Sequence, residues 1–182
     1  MGSTLVCLRH DDPLAPTLSL VAALAVYDAI AVHLAPTSKL ICKWPNDVLL
    51  DGAKFCGILL ECEGDNVVIG IGVNLVAAPH IEGRETRALG DAVTGRDAFA
   101  SNLAASLARE LAAWREGGLE LLFSRWLERA HPLGTPLLTH DADGRPIKGS
   151  FAGLGADGSL LLALASGETR VIAAGEVTME KR

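Results

Sequence analysis

An α+β domain followed by a small β-barrel is the architecture this 182-residue sequence predicts, and three features predict it. The helical pattern at Pro16–Leu34 is apolar on most sides and therefore needs a sheet to cover it. Alternating segments between residues 39 and 75, cut by Asp51-Gly52 and Gly64-Asp65, supply a mixed or antiparallel sheet. Beyond residue 131 the texture changes to brief strands separated by Asp143-Gly144, Asp157-Gly158 and Ser166-Gly167, as in a small barrel.

In chain order, Ser3–Leu8 reads as a strand, and Asp11-Asp12-Pro13 breaks the chain before the helix. The helix carries small and apolar residues (Leu18, Val21, Ala22, Ala25, Ala29, Val32), and Ala35-Pro36 ends it. Lys39–Lys43 leads into the meander, and Trp44-Pro45 interrupts it. Val48-Leu49-Leu50, Asp51-Gly52 and Ala53–Glu61 form a type I′ hairpin signal, and Gly64-Asp65-Asn66 turns into Val67–Leu75. Residues 76–96 are polar and turn-rich, too long for a plain connector, and so either mobile or functional. Phe99, Leu103, Leu107, Leu111 and Trp114 recur at helical spacing up to Gly117-Gly118, and Leu119–Ala130 forms a further helix. With His131-Pro132-Leu133-Gly134 as linker, the expected domains are 1–130 and 131–182, the second with about five β segments.

Composition excludes several function classes. Sixteen Lys and Arg against 22 Asp and Glu leave a formal charge of −6, whereas a general nucleic-acid binder presents a basic face. Apolar residues at 49% and charged residues at 21% describe a folded chain. The stretch Leu18–Leu34 is broken by Tyr27, Asp28 and His33 and is shorter than the ~20 residues of a membrane span. No basic segment precedes it and no small-residue cleavage pattern follows, so the expected compartment is the cytoplasm. Cys7, Cys42, Cys56 and Cys62 form no CxxC and lie among apolar residues, which predicts reduced core thiols and no metal site.

The most informative segment is Lys43–Glu61, KWPNDVLLDGAKFCGILLE. With Asp51-Gly52 at the turn, strict pairing sets Leu49 opposite Lys54 and Asp47 opposite Cys56, and places Asp47, Leu49, Lys54 and Cys56 on one face. A carboxylate and an ammonium then meet on an apolar surface, with Lys43 near the same end. Such a pair is either an ordinary cross-strand ion pair beside a turn or a site for an anionic or carbonyl-bearing ligand. In Ile69–Asn74, IGIGVN, the residues Gly70, Gly72 and Asn74 share a face and leave a shallow floor beside an amide, suited to a ligand or to another packed element. The third glycine of a dinucleotide fingerprint is absent, and no GxxxxGK[ST] loop occurs. His10-Asp11-Asp12, His131 and His140 read as solvated turn residues, and Trp114 and Trp126 as core.

At Lys43–Asp47, followed by Lys54, Gly57 and Glu61, the sequence resembles the biotin protein ligases (biotin–[acetyl-CoA-carboxylase] ligases). Gly70, Gly72, Val73 and Asn74 fit that family's glycine-spaced strand, and Gly175-Glu176-Val177 fits its closing motif, so the resemblance spans nearly the whole chain. It implies a class II synthetase-like ligase domain, a C-terminal SH3-like barrel, and the substrates biotin and ATP with Mg2+. Biotinyl-5′-adenylate forms first, and biotin then passes to a lysine of a biotin carboxyl carrier domain. Carried over by position, Lys54 contacts the biotin carboxylate and the acyl-phosphate oxygens, and Gly57 lets the biotin ring approach the strand. Asn46, Asn74 and Gly72 serve the adenylate, and Asp47 with Lys43 completes the catalytic set, Asp47 helping to place the acceptor lysine or the phosphates.

One difference from the family shapes the expectation. The Gly-Arg-Gly-Arg-x-Gly-Arg loop and the Ser/Thr-Asn segment of the family precede the strand matched by Ser3–Leu8, and this sequence starts after both. The expectation is a chain weakly active or inactive alone, with an unpaired sheet edge inclined to associate, as in a homodimer. No leading helix-turn-helix is present, so a DNA-binding role is not expected. Two other readings stand beside the ligase: a non-catalytic module that docks on the carrier or on a complete ligase, and a lipoyl-type acyl ligase.

Overall fold

The computed structural model describes residues 1–90, 95–141 and 143–179. Five antiparallel strands form the first sheet: β1 (Gly2–Cys7), β2 (Leu40–Lys43), β3 (Asp47–Leu50), β4 (Ala53–Glu63) and β5 (Asn66–Val73), in the order β1-β5-β4-β3-β2. A 3₁₀ turn, Ala15–Thr17, leads into helix α1 (Leu18–Ala31), in which ten of fourteen residues are buried. The reason is its position: α1 lies against β2–β5 on one side and against α2 (Arg96–Arg129) on the other. A helix enclosed by a sheet and a second helix has no polar face to show.

Helix α2 is two helical arms meeting at Gly118, whose φ of 68° and ψ of −170° leave the helical region. The expected break at Gly117-Gly118 is thus present at Gly118, and the expected further helix follows it as the second arm. Trp114 and Trp126 on its two arms are core residues, as expected. Arg125 closes the kink by donating from Nη1 and Nη2 to both carboxylate oxygens of the buried Glu110, at 2.7 and 2.6 Å.

The second sheet holds β6 (Pro136–His140), β7 (Pro146–Leu154), β8 (Leu160–Ala163), β9 (Thr169–Ile172) and β10 (Thr178–Met179), antiparallel in the order β10-β6-β7-β8-β9. Its apolar residues Leu137, Phe151, Leu160 and Leu162 belong to the same core cluster as those of the first sheet. Trp44, just ahead of β3, donates its indole N–H to Gly158 O in the β7–β8 turn at 3.0 Å, tying the two sheets together.

Three sequence expectations need correction. Cys42 and Cys56 are buried, but Cys7 and Cys62 are exposed: Cys7 faces away from the buried Val6 beside it, and Cys62, though opposite the buried Val67, lies near the end of β4, where the core runs out. His131 is not solvated: it is 3% exposed and meets the Phe151 ring edge-on at 4.4 Å. The preceding residue, Ala130, bridges to Cys42 on β2, so the chain between the sheets runs through packing and not over the surface. Asp12 is likewise no free turn residue, since Arg115 grips its carboxylate from Nε and Nη2.

Candidate active site

The site grows from the β3–β4 turn. Asp51 (φ 51°) and Gly52 (φ 85°) both take left-handed backbone, the requirement of a type I′ turn. Asp51 also accepts the Lys39 N–H through Oδ1 at 2.8 Å and pairs with Arg87 through Oδ2 at 3.1 Å. The turn thus anchors both the entry to β2 and the segment following β5.

From the turn the register runs Leu50↔Ala53 and Leu49↔Lys54, and a bulge then shifts it to Val48↔Cys56 and Asp47↔Gly57. The expected pairing of Asp47 with Cys56 is therefore wrong by one residue. The extra residue is Phe55, which is fully buried. Since one added residue inverts the alternation, Cys56 joins Val48 in the core, while Gly57 moves to the face of Asp47 and Lys54.

That shift builds the cluster. A Cβ on Gly57 would meet Lys54 Cε and Nζ, each at 3.2 Å, and Asp47 Oδ1 at 3.8 Å. The lysine chain thus lies across the bare glycine to pair with Asp47 Oδ1. Lys43 Nζ approaches the other carboxylate oxygen, Oδ2, at 3.6 Å, and the Asp47 side chain is only 8% exposed. Burial pulls the Lys43 ammonium below the ordinary lysine value, Asp47 opposes that pull, and Arg84 and Lys54 add to it. A buried carboxylate between two lysines is costly to assemble for stability alone.

Two clefts meet at Lys54. One, about 460 Å³, is bordered by Gly57, Gly70, Gly72, Leu59, Asn74 and Ile81 and is mostly apolar. Its floor follows from β5, where Val67, Ile69 and Ile71 point to the core and the alternate Gly70 and Gly72 leave the other face bare. The other, about 420 Å³, is bordered by Lys43, Asp47, Lys54, Arg84 and Glu176 and is charged. An elongated ligand with an apolar body and an anionic end fits this division, with the junction at the Lys54 ammonium.

The two asparagines do something the sequence does not announce. Asn46 donates from Nδ2 to Ile58 O at 2.7 Å, while Ile58 N–H donates back to Asn46 O at 2.9 Å. Asn74 donates from Nδ2 to Lys54 O at 3.4 Å and to Arg87 O at 3.2 Å. Both amide nitrogens hold backbone around the cluster; Asn74 also borders the apolar cleft, and Asn46 borders neither cleft. Lys43, Asp47, Lys54 and Gly57 are thus in direct contact, Gly72 pairs with Gly57, and Asn74 sits on the Lys54 carbonyl.

The segment after β5 is part of the site. Lys54 N–H donates to Glu85 O at 2.8 Å and Arg87 N–H to Lys54 O at 3.0 Å; Leu89 and Gly90 bond back to Asn74 and Leu75. Of the residues 76–96 singled out in the sequence, 91–94 lie outside the described part. Arg84 in this segment forms an ion pair with Glu176, just ahead of β10. Sequence reasoning missed Arg84, because a single arginine in a polar stretch reads as solvated.

Among the described residues no group of three or more His, Cys, Asp or Glu side chains could hold a metal ion. The Asp47 carboxylate is engaged by two ammonium groups, Lys43 and Lys54. No described helix is long and apolar enough to cross a membrane.

Residues 140–179 match the family model described as the biotin protein ligase C terminal domain. Over 191 residues the chain is 39% identical to a biotin–[acetyl-CoA-carboxylase] ligase of Paracoccus denitrificans, covering 97% of this chain and 78% of that protein. It is 34% identical over 164 residues to the enzyme of the same name from Mycobacterium tuberculosis, covering 88% of this chain and 61% of that one. Among solved structures, the biotin protein ligase of Aquifex aeolicus in complex with biotin and ATP superposes with a TM-score of 0.80 at 22% identity, over 99% of this chain and 77% of that one.

Proposed function

This chain belongs to the biotin protein ligase family, and from that premise we propose how its residues serve the ATP-dependent ligation of biotin to a carrier lysine. The carrying observation is the position of Lys54, at the junction of an apolar cleft and a charged one. The biotin ring system lies over Gly70 and Gly72, beside Gly57, across which the Lys54 chain runs to Asp47. Its carboxylate end reaches the Lys54 ammonium, and the phosphates of ATP lie on the side of Lys43 and Asp47.

In the first step a carboxylate oxygen of biotin attacks the α-phosphorus, the bond to the β-phosphate breaks, and pyrophosphate leaves. Negative charge accumulates between two anionic groups, and an ammonium already placed there lowers that barrier without reorganising. Asp47 holds Lys54 in that position through a buried contact, and Gly57 gives the lysine its path. In the second step the neutral amine of the acceptor lysine attacks the acyl carbon, AMP leaves, and the amine's proton passes to solvent or to a nearby base. In this reading Mg2+ enters with the ATP phosphates, the usual mode for an ion that keeps several waters and takes few protein ligands.

We take residues 1–130 as the ligase domain of class II synthetase type and 131–182 as an SH3-like barrel, which the matched segment 140–179 supports. The partner is a biotin carboxyl carrier domain and the compartment is the cytoplasm. A second copy of the chain is the partner that β1 invites, at the sheet edge with Leu5 58% exposed; sedimentation at two concentrations tests that. The function itself is tested by biotin-dependent exchange of labelled pyrophosphate into ATP, followed by transfer to a purified carrier domain. Weak exchange agrees with the low activity expected of this chain alone, whereas exchange that depends on lipoate in place of biotin would refute the assignment.

A further inference from the structure

We propose that Arg84 is a phosphate ligand held in reserve by Glu176, so that the nucleotide displaces an ion pair between the post-β5 segment and the C-terminal unit. The inference rests on the ligase reading above. It begins with the charged cleft, bordered by three cations, Lys43, Lys54 and Arg84. Two of them share Asp47, whose carboxylate is 8% exposed, so pulling either away leaves one oxygen of a buried carboxylate without its cation. Arg84 differs. Its partner Glu176 has a side chain 62% exposed, so water takes over that carboxylate once the arginine leaves.

The exchange favours phosphate on chemical grounds. An exposed ion pair contributes little to stability. A guanidinium on a phosphate makes parallel, charge-assisted hydrogen bonds that match its fork. The guanidinium is near enough to act electrostatically on Lys43.

The backbone makes the move local. Glu85 O accepts from Lys54 N–H, Arg87 N–H donates to Lys54 O, and Arg84 N–H donates to Ile81 O. With the chain tied on both sides, the Arg84 side chain can turn from Glu176 into the cleft while the segment stays in place. Departure of Arg84 also releases the contact with the residue ahead of β10, so nucleotide binding loosens one link between the two sheets.

The test is calorimetric titration of the full chain with ATP, with inorganic tripolyphosphate and with biotin, for the unaltered protein and for Arg84→Ala, Arg84→Lys, Glu176→Gln and the Arg84→Ala/Glu176→Gln pair. Arg84→Ala should weaken ATP and tripolyphosphate binding about tenfold, a typical loss for one charge-assisted contact, with biotin affinity unchanged. Arg84→Lys should fall between. Glu176→Gln should tighten both polyanions about threefold, because the competitor is gone, and the double variant should behave as Arg84→Ala. The opposite signs separate this reading from a merely structural ion pair, whose two partners would weaken binding alike. Weaker ATP binding by Glu176→Gln, or unchanged ATP binding by Arg84→Ala, overturns the proposal, as does an unaltered chain that binds no ATP. An unaltered chain that binds ATP but not biotin overturns the ligase reading alone.

Discussion

Gly57→Ala is the most discriminating single change at the site. Gly57 is not among the glycines with positive φ, so the backbone accepts alanine without strain, and the smaller loss of unfolded-state entropy favours the variant by about 0.4–1 kcal/mol. The cost falls on the lysine. The new Cβ would sit 3.2 Å from Lys54 Cε and Nζ, so the end of the lysine must give by at least a few tenths of an ångström. If its separation from Asp47 grows from about 3 to about 4 Å, the attraction falls by about 1.4 kcal/mol at an effective dielectric of about 20. The two effects nearly cancel, and the thermal midpoint should move by less than about 4 °C. Catalysis does not cancel, because a displacement of about 1 Å at the reacting centre costs on the order of a hundredfold. Differential scanning calorimetry and biotin-dependent pyrophosphate exchange read the two quantities separately. Exchange within about threefold of the unaltered chain would show that the bare glycine does not set the position of Lys54. A midpoint lowered by more than about 8 °C would show that Gly57 serves the fold instead.

Other expectations are open to direct measurement. Glu110→Ala removes the carboxylate that Arg125 grips across the Gly118 kink and should lower stability by about 2–3 kcal/mol in denaturant unfolding. Burial, with Lys43 adding to it, pushes the His131 imidazole down to about 4, so the unfolded chain binds its proton first as pH falls. That contribution to stability is complete above about pH 6.5 and is lost toward pH 4, by at most about 1.4 kcal/mol per pH unit, and His131→Phe should remove this dependence. Under native conditions a thiol reagent should label Cys7 and Cys62 quickly, and Cys42 and Cys56 only on unfolding, since burial raises both of the latter to about 12.

Much of this site is legible in the chain because its parts are neighbours in sequence. Asp51-Gly52 specifies the turn, the turn specifies Leu49 opposite Lys54, and that pairing brings Lys54 toward Asp47. The alternation in β5 likewise sends Val67, Ile69 and Ile71 inward and leaves two glycines outward. The bulge is not legible by the same rule. Whether Phe55 counts in the ladder depends on the room α1 and the sheet leave for its ring, and this decides that Gly57, not Cys56, stands opposite Asp47.

Sequence alone determined the order of elements, the hairpin, the glycine-bared strand face and the acid–base pair on it, because hydrophobic period and turn chemistry act over a few residues. Tertiary structure decided the rest: the indole of Trp44 on Gly158 O, Arg84 on Glu176, the buried ring of His131, and both asparagine side chains turned to backbone. Each of these joins groups distant along the chain or settles a hydrogen-bonding choice that local sequence leaves open. Such contacts exist only once the two sheets and the helices have packed, since packing brings the partners into reach and removes the water that would otherwise satisfy them.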